Sequence, residues 1–194
     1  MKTGMPEQYQ QFWGDIQEIL ISEEAIQQRV RELGAQISAD YAGRNIILVG
    51  VLKGVLFFMA DLLRAITIPV EVDFIAVTNY SPESRAKGVV RLVKDLEMNI
   101  TDRHVLFIED VVDTGLTLTY LLRNLRERAP SSLEVCTLFN KPVHRIMDIR
   151  IKYKGFDLPD LFVVGYGLDH RERYRNLPFV GVLKPGALLG SKEK

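Results

Sequence analysis

The chain has 194 residues, and its 25 lysines and arginines are balanced by 25 aspartates and glutamates, so its formal net charge is zero. A broad nucleic-acid surface needs an excess of basic residues, so this balance argues against a protein that binds nucleic acid. Hydrophobic residues make up 47% and charged residues 26%, which is ordinary for a folded globular chain. We therefore expect one domain, or a core with a small appendage.

The composition also predicts a compartment. A single cysteine, Cys136, excludes an internal disulfide and a zinc cluster and fits a reducing environment. The longest apolar stretch, 46–63, is interrupted by glycines and charged residues and falls short of a membrane helix. The first residues have no apolar segment of the kind found in signal peptides. We expect a cytoplasmic protein that does not contact a membrane.

The first predicted elements are a short helix over 8–18 and a longer helix that begins after Ser22. Ser22 is a good N-cap, and the apolar residues behind it recur at helical spacing. Residues 45–52 are apolar without alternation, which is typical of a strand buried on both faces of a parallel sheet. Residues 54–65 are apolar nearly all round, which predicts a buried crossover helix.

The second half of the pattern alternates strands and helices. A strand over 70–77 is followed by the polar segment 79–88, which is long for a hairpin and is interpreted as a mobile lid. Strands over 89–96 and 104–111 and a helix over 117–128 come next. Further strands are predicted at 133–139, 149–153, 162–165 and 180–183. This order predicts an α/β fold with a mostly parallel central sheet flanked by helices.

Ligands of such sheets bind beyond the carboxyl ends of the strands, where this chain places its strongest motif. The buried run 105–108 leads into Glu109 and Asp110, and a third acid, Asp113, precedes a turn that opens a helix. Glycine and threonine at a helix start present N–H groups to a phosphate, while carboxylates bind sugar hydroxyls or Mg²⁺. The motif therefore predicts a phosphorylated sugar held with magnesium. The alternative is that 113–117 merely caps the helix, although Glu109 and Asp110 come too early for a cap.

This motif resembles the phosphoribosyl-pyrophosphate signature of the type I phosphoribosyltransferases, and the wider match, over about 19–185, is similar to their hypoxanthine-guanine branch. The resemblance implies a single domain over 1–194, with a core at about 40–145 and a small hood made of about 1–30 and 146–194. It implies transfer of ribose 5-phosphate from phosphoribosyl pyrophosphate to hypoxanthine or guanine, with Mg²⁺ as cofactor and IMP or GMP as product. It also implies a homo-oligomer, either a dimer or a tetramer.

The resemblance gives roles to the residues of the motif. Glu109 and Asp110 would hold the ribose hydroxyls and, with Asp169, would ligate Mg²⁺. Asp113 would accept the proton of purine N7. The turn that wraps the 5′-phosphate would consist of Asp113, Thr114, Gly115, Leu116 and Thr117.

Residues at other predicted strand ends would bind the leaving pyrophosphate and close the site. A loop with a non-proline cis peptide would bind pyrophosphate, and it consists of Leu52, Lys53 and Gly54. Arg175 would bind the same group, because a planar guanidinium matches phosphate oxygens. Tyr80 would fold over the reacting centre from the lid, where Asn79 stands in place of the usual serine.

The resemblance also predicts how the base is recognised. Lys141 would donate to the 6-oxo group, which selects hypoxanthine and guanine over adenine. Phe162 would stack on the purine, and Val163 would offer backbone groups to its edge. The three histidines show no metal-ligand spacing and are interpreted as ordinary surface or packed residues.

Three other functions share some of these features. A relative that uses xanthine or a pyrimidine would carry the same signature, and so would a regulatory protein that binds phosphoribosyl pyrophosphate. The zero net charge argues against regulation of nucleic acid by this chain. A flavodoxin-like domain that binds another phosphate is the remaining alternative, since a fold alone does not determine function.

Overall fold

The computed structural model describes residues 6–79 and 90–189, so Tyr80 and most of the predicted lid lie outside the described residues. The chain divides into two units. The core unit is Val30–Asp160, and the terminal unit combines the residues up to Arg29 with those from Leu161 onward. The long first helix begins in the terminal unit and continues into the core unit.

The elements follow one another in an α/β order. The strands are β1 (Ile16–Ile21), β2 (Ile46–Leu52), β3 (Val70–Asn79), β4 (Val90–Lys94), β5 (His104–Val112), β6 (Ser132–Asn140), β7 (Tyr153–Asp157), β8 (Val163–Val164) and β9 (Val180–Leu183). The helices are α1 (Glu23–Asp40), α2 (Leu56–Ala65), α3 (Leu116–Arg126) and α4 (Pro185–Leu189). Short 3₁₀ helices cover Glu7–Phe12 and Pro142–His144.

The core unit is built on a six-stranded sheet in the order β4-β3-β2-β5-β6-β7. Every neighbouring pair is parallel except β3 and β4, which are antiparallel. This confirms the predicted fold class. Because β2, β5 and β6 are adjacent and parallel, their carboxyl ends lie at one edge of the sheet. The loops that follow these three strands carry most of the predicted site.

Helices of the core unit bury one face each. In α3 the buried residues are Leu118, Leu121, Leu122 and Leu125. They pack with sheet residues such as Phe107 and Val135, and each buried leucine contributes about 2 kcal/mol. The prediction that α2 is buried all round is wrong, because Leu56 is 53% exposed and Phe57 is 36% exposed. Within 6–79 and 90–189 no helix is long and apolar enough to cross a membrane.

The terminal unit contains a three-stranded sheet in the order β1-β9-β8, with both pairs antiparallel. The predicted helix over 8–18 is wrong, because the helical residues stop at Phe12 and β1 begins at Ile16. The strand forms because β9, more than 150 residues later, supplies its hydrogen-bond partners. Lys184, the residue after β9, stabilises the pairing of β1 with β9 because its Nζ donates to the Trp13 carbonyl at 2.8 Å, shortly before β1.

Of the last three predicted strands, two differ from the structure in their boundaries. The predicted strand at 149–153 is wrong, because β7 begins at Tyr153, where pairing with Cys136 of β6 starts. Ile149 and Ile151 pack against the core without joining the sheet. The strand at 162–165 is shorter than predicted, and the strand at 180–183 is confirmed.

Candidate active site

The loop after β2 is joined to the acids of β5 by a close contact at Gly54. The peptide bond between Leu52 and Lys53 is cis, as the resemblance implies for this loop. A Cβ atom on Gly54 would lie 1.8 Å from Oδ2 of Asp110. The Asp110 carboxylate therefore rests against a bare α-carbon, an approach that only glycine permits.

Glu109 and Asp110 form an electrostatically strained pair at the end of β5. Burial raises the pKa of Glu109 well above its ordinary value, and the charge of Asp110 raises it further. Oε2 of Glu109 is buried and has no hydrogen-bond partner among the described residues. Asp110 differs, since its Oδ1 accepts the Val111 N–H at 2.8 Å. A buried acceptor of this kind fits a ligand that brings its own hydroxyl group or a cation.

The turn after β5 opens α3 in a way that suits a phosphate. Gly115 lies in the left-handed region with φ of 82°, and a Cβ there would lie 2.6 Å from Ile149. The helix then starts at Leu116, whose N–H points to the hydroxyl of Thr114 at 3.4 Å. The first helical residues, Leu-Thr-Leu-Thr, include no acid that would neutralise the positive end of the helix dipole. The backbone N–H groups of this turn and the hydroxyls of Thr114 and Thr117 thus offer donors to an anion.

The segment 141–147, which follows β6, is hydrogen-bonded to this turn. The N–H of Lys141 donates to the Val112 carbonyl at 2.9 Å. The N–H groups of Ile146 and Met147 both donate to the Thr114 carbonyl, at 3.0 and 3.2 Å. Lys141 is therefore fixed beside the turn that carries Asp113.

Two residues that the sequence analysis did not select hold Asp113 itself. Arg145 donates from Nε to the Asp113 carbonyl at 2.9 Å and from Nη2 to the Val112 carbonyl at 3.1 Å. Nδ1 of His144 lies 3.2 Å from Oδ1 of Asp113. His144 is an exposed residue, as predicted, and in addition it contacts the side chain of Asp113. Its only signal in the sequence is that it closely follows Lys141.

In the terminal unit, Asp169 and Arg175 bind each other. Nη2 of Arg175 lies 2.8 Å from Oδ1 of Asp169, and Nη1 donates to the Gly167 carbonyl at 2.7 Å. The other carboxylate oxygen of Asp169 accepts the Glu172 N–H at 2.9 Å. Nε of Arg175 is buried and has no partner among the described residues. An anion or a cation that reaches these residues must compete with this ion pair.

Phe162 and Val163 occupy an edge of the terminal sheet. Val163 lies in β8, which pairs with β9 and stands last in the sheet order. An edge strand presents backbone N–H and C=O groups to a ligand. Phe162, the residue before it, is 44% exposed and meets the His170 ring edge-on at 5.3 Å. An exposed aromatic ring beside this edge strand suits stacking on a planar heterocycle.

The predicted magnesium ligands are divided between the units. Glu109 and Asp110 adjoin in the core unit, whereas Asp169 belongs to the terminal unit. In the part of the chain that the structure describes, no group of three or more His, Cys, Asp or Glu side chains is arranged to hold a metal ion. Mg²⁺ usually binds one or two carboxylates together with water and substrate phosphates. Oε2 of Glu109, which has no partner among the described residues, and the adjacent Asp110 carboxylate therefore fit such an ion.

Comparison with known proteins gives a consistent result. The sequence model of the phosphoribosyl transferase domain matches residues 17–171. The hypoxanthine-guanine phosphoribosyltransferase of Bacillus subtilis is 48% identical over 171 residues, which cover 88% of this chain and 95% of the relative. The enzyme of the same name from Mycobacterium tuberculosis strain H37Rv is 49% identical over 178 residues, which cover 89% and 88%.

Solved structures agree with these sequence matches. A crystal structure of a hypoxanthine phosphoribosyltransferase from Staphylococcus aureus superposes with a TM-score of 0.88 at 45% identity. The match covers 92% of this chain and 97% of the other.

Proposed function

The chain belongs to the phosphoribosyltransferase family, within its hypoxanthine-guanine branch, and we propose that it transfers ribose 5-phosphate from phosphoribosyl pyrophosphate to a 6-oxopurine. The products are IMP or GMP and pyrophosphate, which is purine salvage. One observation in this chain carries the proposal. Gly54 brings the loop after β2 against Asp110, so a candidate pyrophosphate loop and a candidate ribose site are adjacent.

The acids of β5 act on the sugar. Carbon 1 of the ribose becomes cation-like as pyrophosphate departs, and negative charge on the Asp110 carboxylate stabilises that state. Glu109 and Asp110 accept hydrogen bonds from the ribose hydroxyls, and a hydroxyl gives the buried Glu109 oxygen the donor that it lacks. The 5′-phosphate binds the backbone and hydroxyl donors of 114–117 at the start of α3.

Proton transfer and base recognition fall to residues at the ends of β5 and β6. Asp113 accepts the N7 proton as N9 attacks carbon 1. Lys141 donates to the 6-oxo group, and adenine, whose 6-amino group is itself a donor, offers it no acceptor there. Phe162 stacks on the base, and Val163 supplies backbone groups from the edge of β8.

The leaving group is anionic, and the chain supplies cations for it. Lys53 and Arg175 bind pyrophosphate oxygens, Arg175 after release of its ion pair with Asp169. Mg²⁺ would be held by Glu109, Asp110 and Asp169, and when bound it neutralises charge on the departing diphosphate. Tyr80 lies outside the described residues, and the resemblance assigns it the role of covering the site and excluding water, which would otherwise hydrolyse the sugar.

We further propose that the enzyme works in the cytoplasm as a dimer or tetramer. Cys136 is buried and is the single cysteine of the sequence, so it cannot form a disulfide within the chain, which suits a reducing compartment. The exposed Leu56 and Phe57 of α2 are apolar side chains that a second copy could cover. Sedimentation velocity of the full chain measures the state directly, and a monomer at micromolar concentration contradicts this part of the proposal.

The function is tested with a panel of bases. Turnover of hypoxanthine, guanine, xanthine, adenine and uracil is followed spectrophotometrically with phosphoribosyl pyrophosphate and Mg²⁺. We expect turnover of hypoxanthine or guanine and little with adenine. If only xanthine or only uracil is turned over, that base is the substrate in place of hypoxanthine and guanine. If no base is turned over, the proposal of an enzyme is overturned.

The role of Asp113 is tested by Asp113→Asn. The amide cannot accept the N7 proton, so kcat should fall about 10²- to 10⁴-fold, the range of general-base catalysis, while IMP still binds. Asp148→Asn is the matched control, because Asp148 is an exposed aspartate of the same unit. An unchanged kcat in Asp113→Asn removes Asp113 from the role of base.

A further inference from the structure

His144 lies between two carboxylates. Its Nδ1 is 3.2 Å from Oδ1 of Asp113, and its Nε2 is 3.0 Å from Oδ1 of Asp160. Each ring nitrogen therefore faces a carboxylate oxygen, which only accepts hydrogen bonds. The three side chains make a row of carboxylate, imidazole ring and carboxylate within the core unit.

The backbone on both sides of this row is fixed. His144 ends the 3₁₀ helix Pro142–His144, and the next residue, Arg145, donates from its side chain to the carbonyls of Val112 and Asp113. One residue thus holds the main chain of Asp113 while its neighbour contacts the carboxylate. The Asp113 and His144 side chains are 48% and 44% exposed, so solvent screens their charges and the Coulomb gain is small. The effect of the contact is therefore to orient the Asp113 carboxylate.

We propose that His144 is a positioning residue for Asp113 and that Asp160 in turn orients His144. The inference rests on the proposed function, in which Asp113 accepts the N7 proton. His144 engages Oδ1, which fixes the rotamer of the carboxylate and leaves Oδ2 as the proton acceptor. A carboxylate that orients a histidine behind a reacting group is a recurring arrangement in enzyme sites.

Three variants of the full chain separate the contacts. His144→Asn keeps an amide nitrogen at the place of Nδ1 and loses the contact to Asp160. His144→Gln moves the amide towards the place of Nε2 and loses the contact to Asp113. Asp160→Asn leaves the histidine in place and weakens the contact at its Nε2, on the side of the ring away from Asp113. The control is His104→Asn, because His104 begins β5 at the opposite end of the strand and its Nδ1 contacts Ser132 at 2.8 Å.

Steady-state kinetics with varied base and varied phosphoribosyl pyrophosphate give the readout. We expect His144→Gln to lower kcat about three- to tenfold, the effect of one lost hydrogen bond. His144→Asn should keep at least half of the wild-type kcat, with Asp160→Asn between the two. KM for phosphoribosyl pyrophosphate should stay within twofold in every variant, because the His144 side chain bonds the carboxylates of Asp113 and Asp160 and not the donors of 114–117 that bind the 5′-phosphate. A structural defect would move kcat, KM and thermal stability together.

The outcomes distinguish this inference from the function on which it rests. A His144→Gln enzyme with wild-type kcat overturns the positioning role, and so does a His144→Asn enzyme that loses as much kcat as His144→Gln. A rise in KM for phosphoribosyl pyrophosphate equal to the loss in kcat indicates a structural role and overturns it as well. Wild-type protein that turns over no purine overturns the proposed function itself and the inference with it.

Discussion

Gly54→Ala is the sharpest test of how the site is assembled. The new methyl group would stand 1.8 Å from Oδ2 of Asp110 and 2.8 Å from its Cγ. Nonbonded heavy atoms attract best at about 3.5 Å, so the carboxylate or the loop must move by more than about 1 Å. Asp110 is a short side chain that can rotate away, but rotation sacrifices the 2.8 Å contact of its Oδ1 with the Val111 N–H.

This geometry predicts a small effect on stability and a large effect on catalysis. Relief by rotation keeps the loss in free energy of unfolding near the lower end of overpacking changes, about 1 kcal/mol. A displacement of about 1 Å at a positioning group lowers activity about 100-fold. We therefore expect kcat/KM for phosphoribosyl pyrophosphate to fall about 100-fold while the protein stays folded at 25 °C.

The measurement combines steady-state kinetics with urea unfolding. Gly186→Ala is the matched control, because a Cβ on Gly186 meets nothing within 4 Å. It should leave kcat/KM and stability near the wild-type values. A Gly54→Ala enzyme whose kcat/KM stays within threefold of wild type would refute the reasoning, since the methyl group would then be accommodated without moving a functional group.

Three further predictions concern stability and are measured by urea unfolding. Ser22→Ala removes the hydroxyl that accepts the Ala25 N–H at 3.2 Å and should cost about 1 kcal/mol; no loss contradicts the cap. Tyr153→Phe removes the 2.7 Å bond donated to Asp40 and should cost about 1 kcal/mol. Burial alone would raise the pKa of Asp73, but backbone N–H donors outweigh it and lower the pKa. Stability from Asp73 is therefore complete above about pH 4 and lost below it, and Asp73→Asn should cost about 1.5–3 kcal/mol and flatten that acid loss.

Much of the core unit could be predicted because its signals are local. The apolar run of β2 and the leucine face of α3 can both be recognised from residues that lie close together in the sequence. The boundaries of β5 differ from the prediction by one residue, and its acids mark the site without any tertiary information. These elements are the ones in which propensity, pattern and burial agree.

The errors occur where distant pairing decides the structure. β1 follows a helical stretch and becomes a strand because β9 pairs with it. The sequence places Ile149 and Ile151 in an apolar pattern that looks like a strand, yet pairing with β6 begins only at Tyr153. His144 was missed for the same reason, since its contacts reach back to Asp113 and forward to Asp160. No periodicity encodes contacts of this range.

The order of strands explains why one turn can be held from two sides. The stretch from Asp110 to Thr114 ends the central strand β5, and Gly54, after β2, touches it on one side. The segment 141–147, after β6, donates three backbone hydrogen bonds to the same stretch. Both contacts require β2 and β6 to flank β5, as the sheet order provides. The same motifs on a sheet with another strand order would leave the stretch from Asp110 to Thr114 without one of its two supports, so the motif sequence alone is not sufficient to form this site.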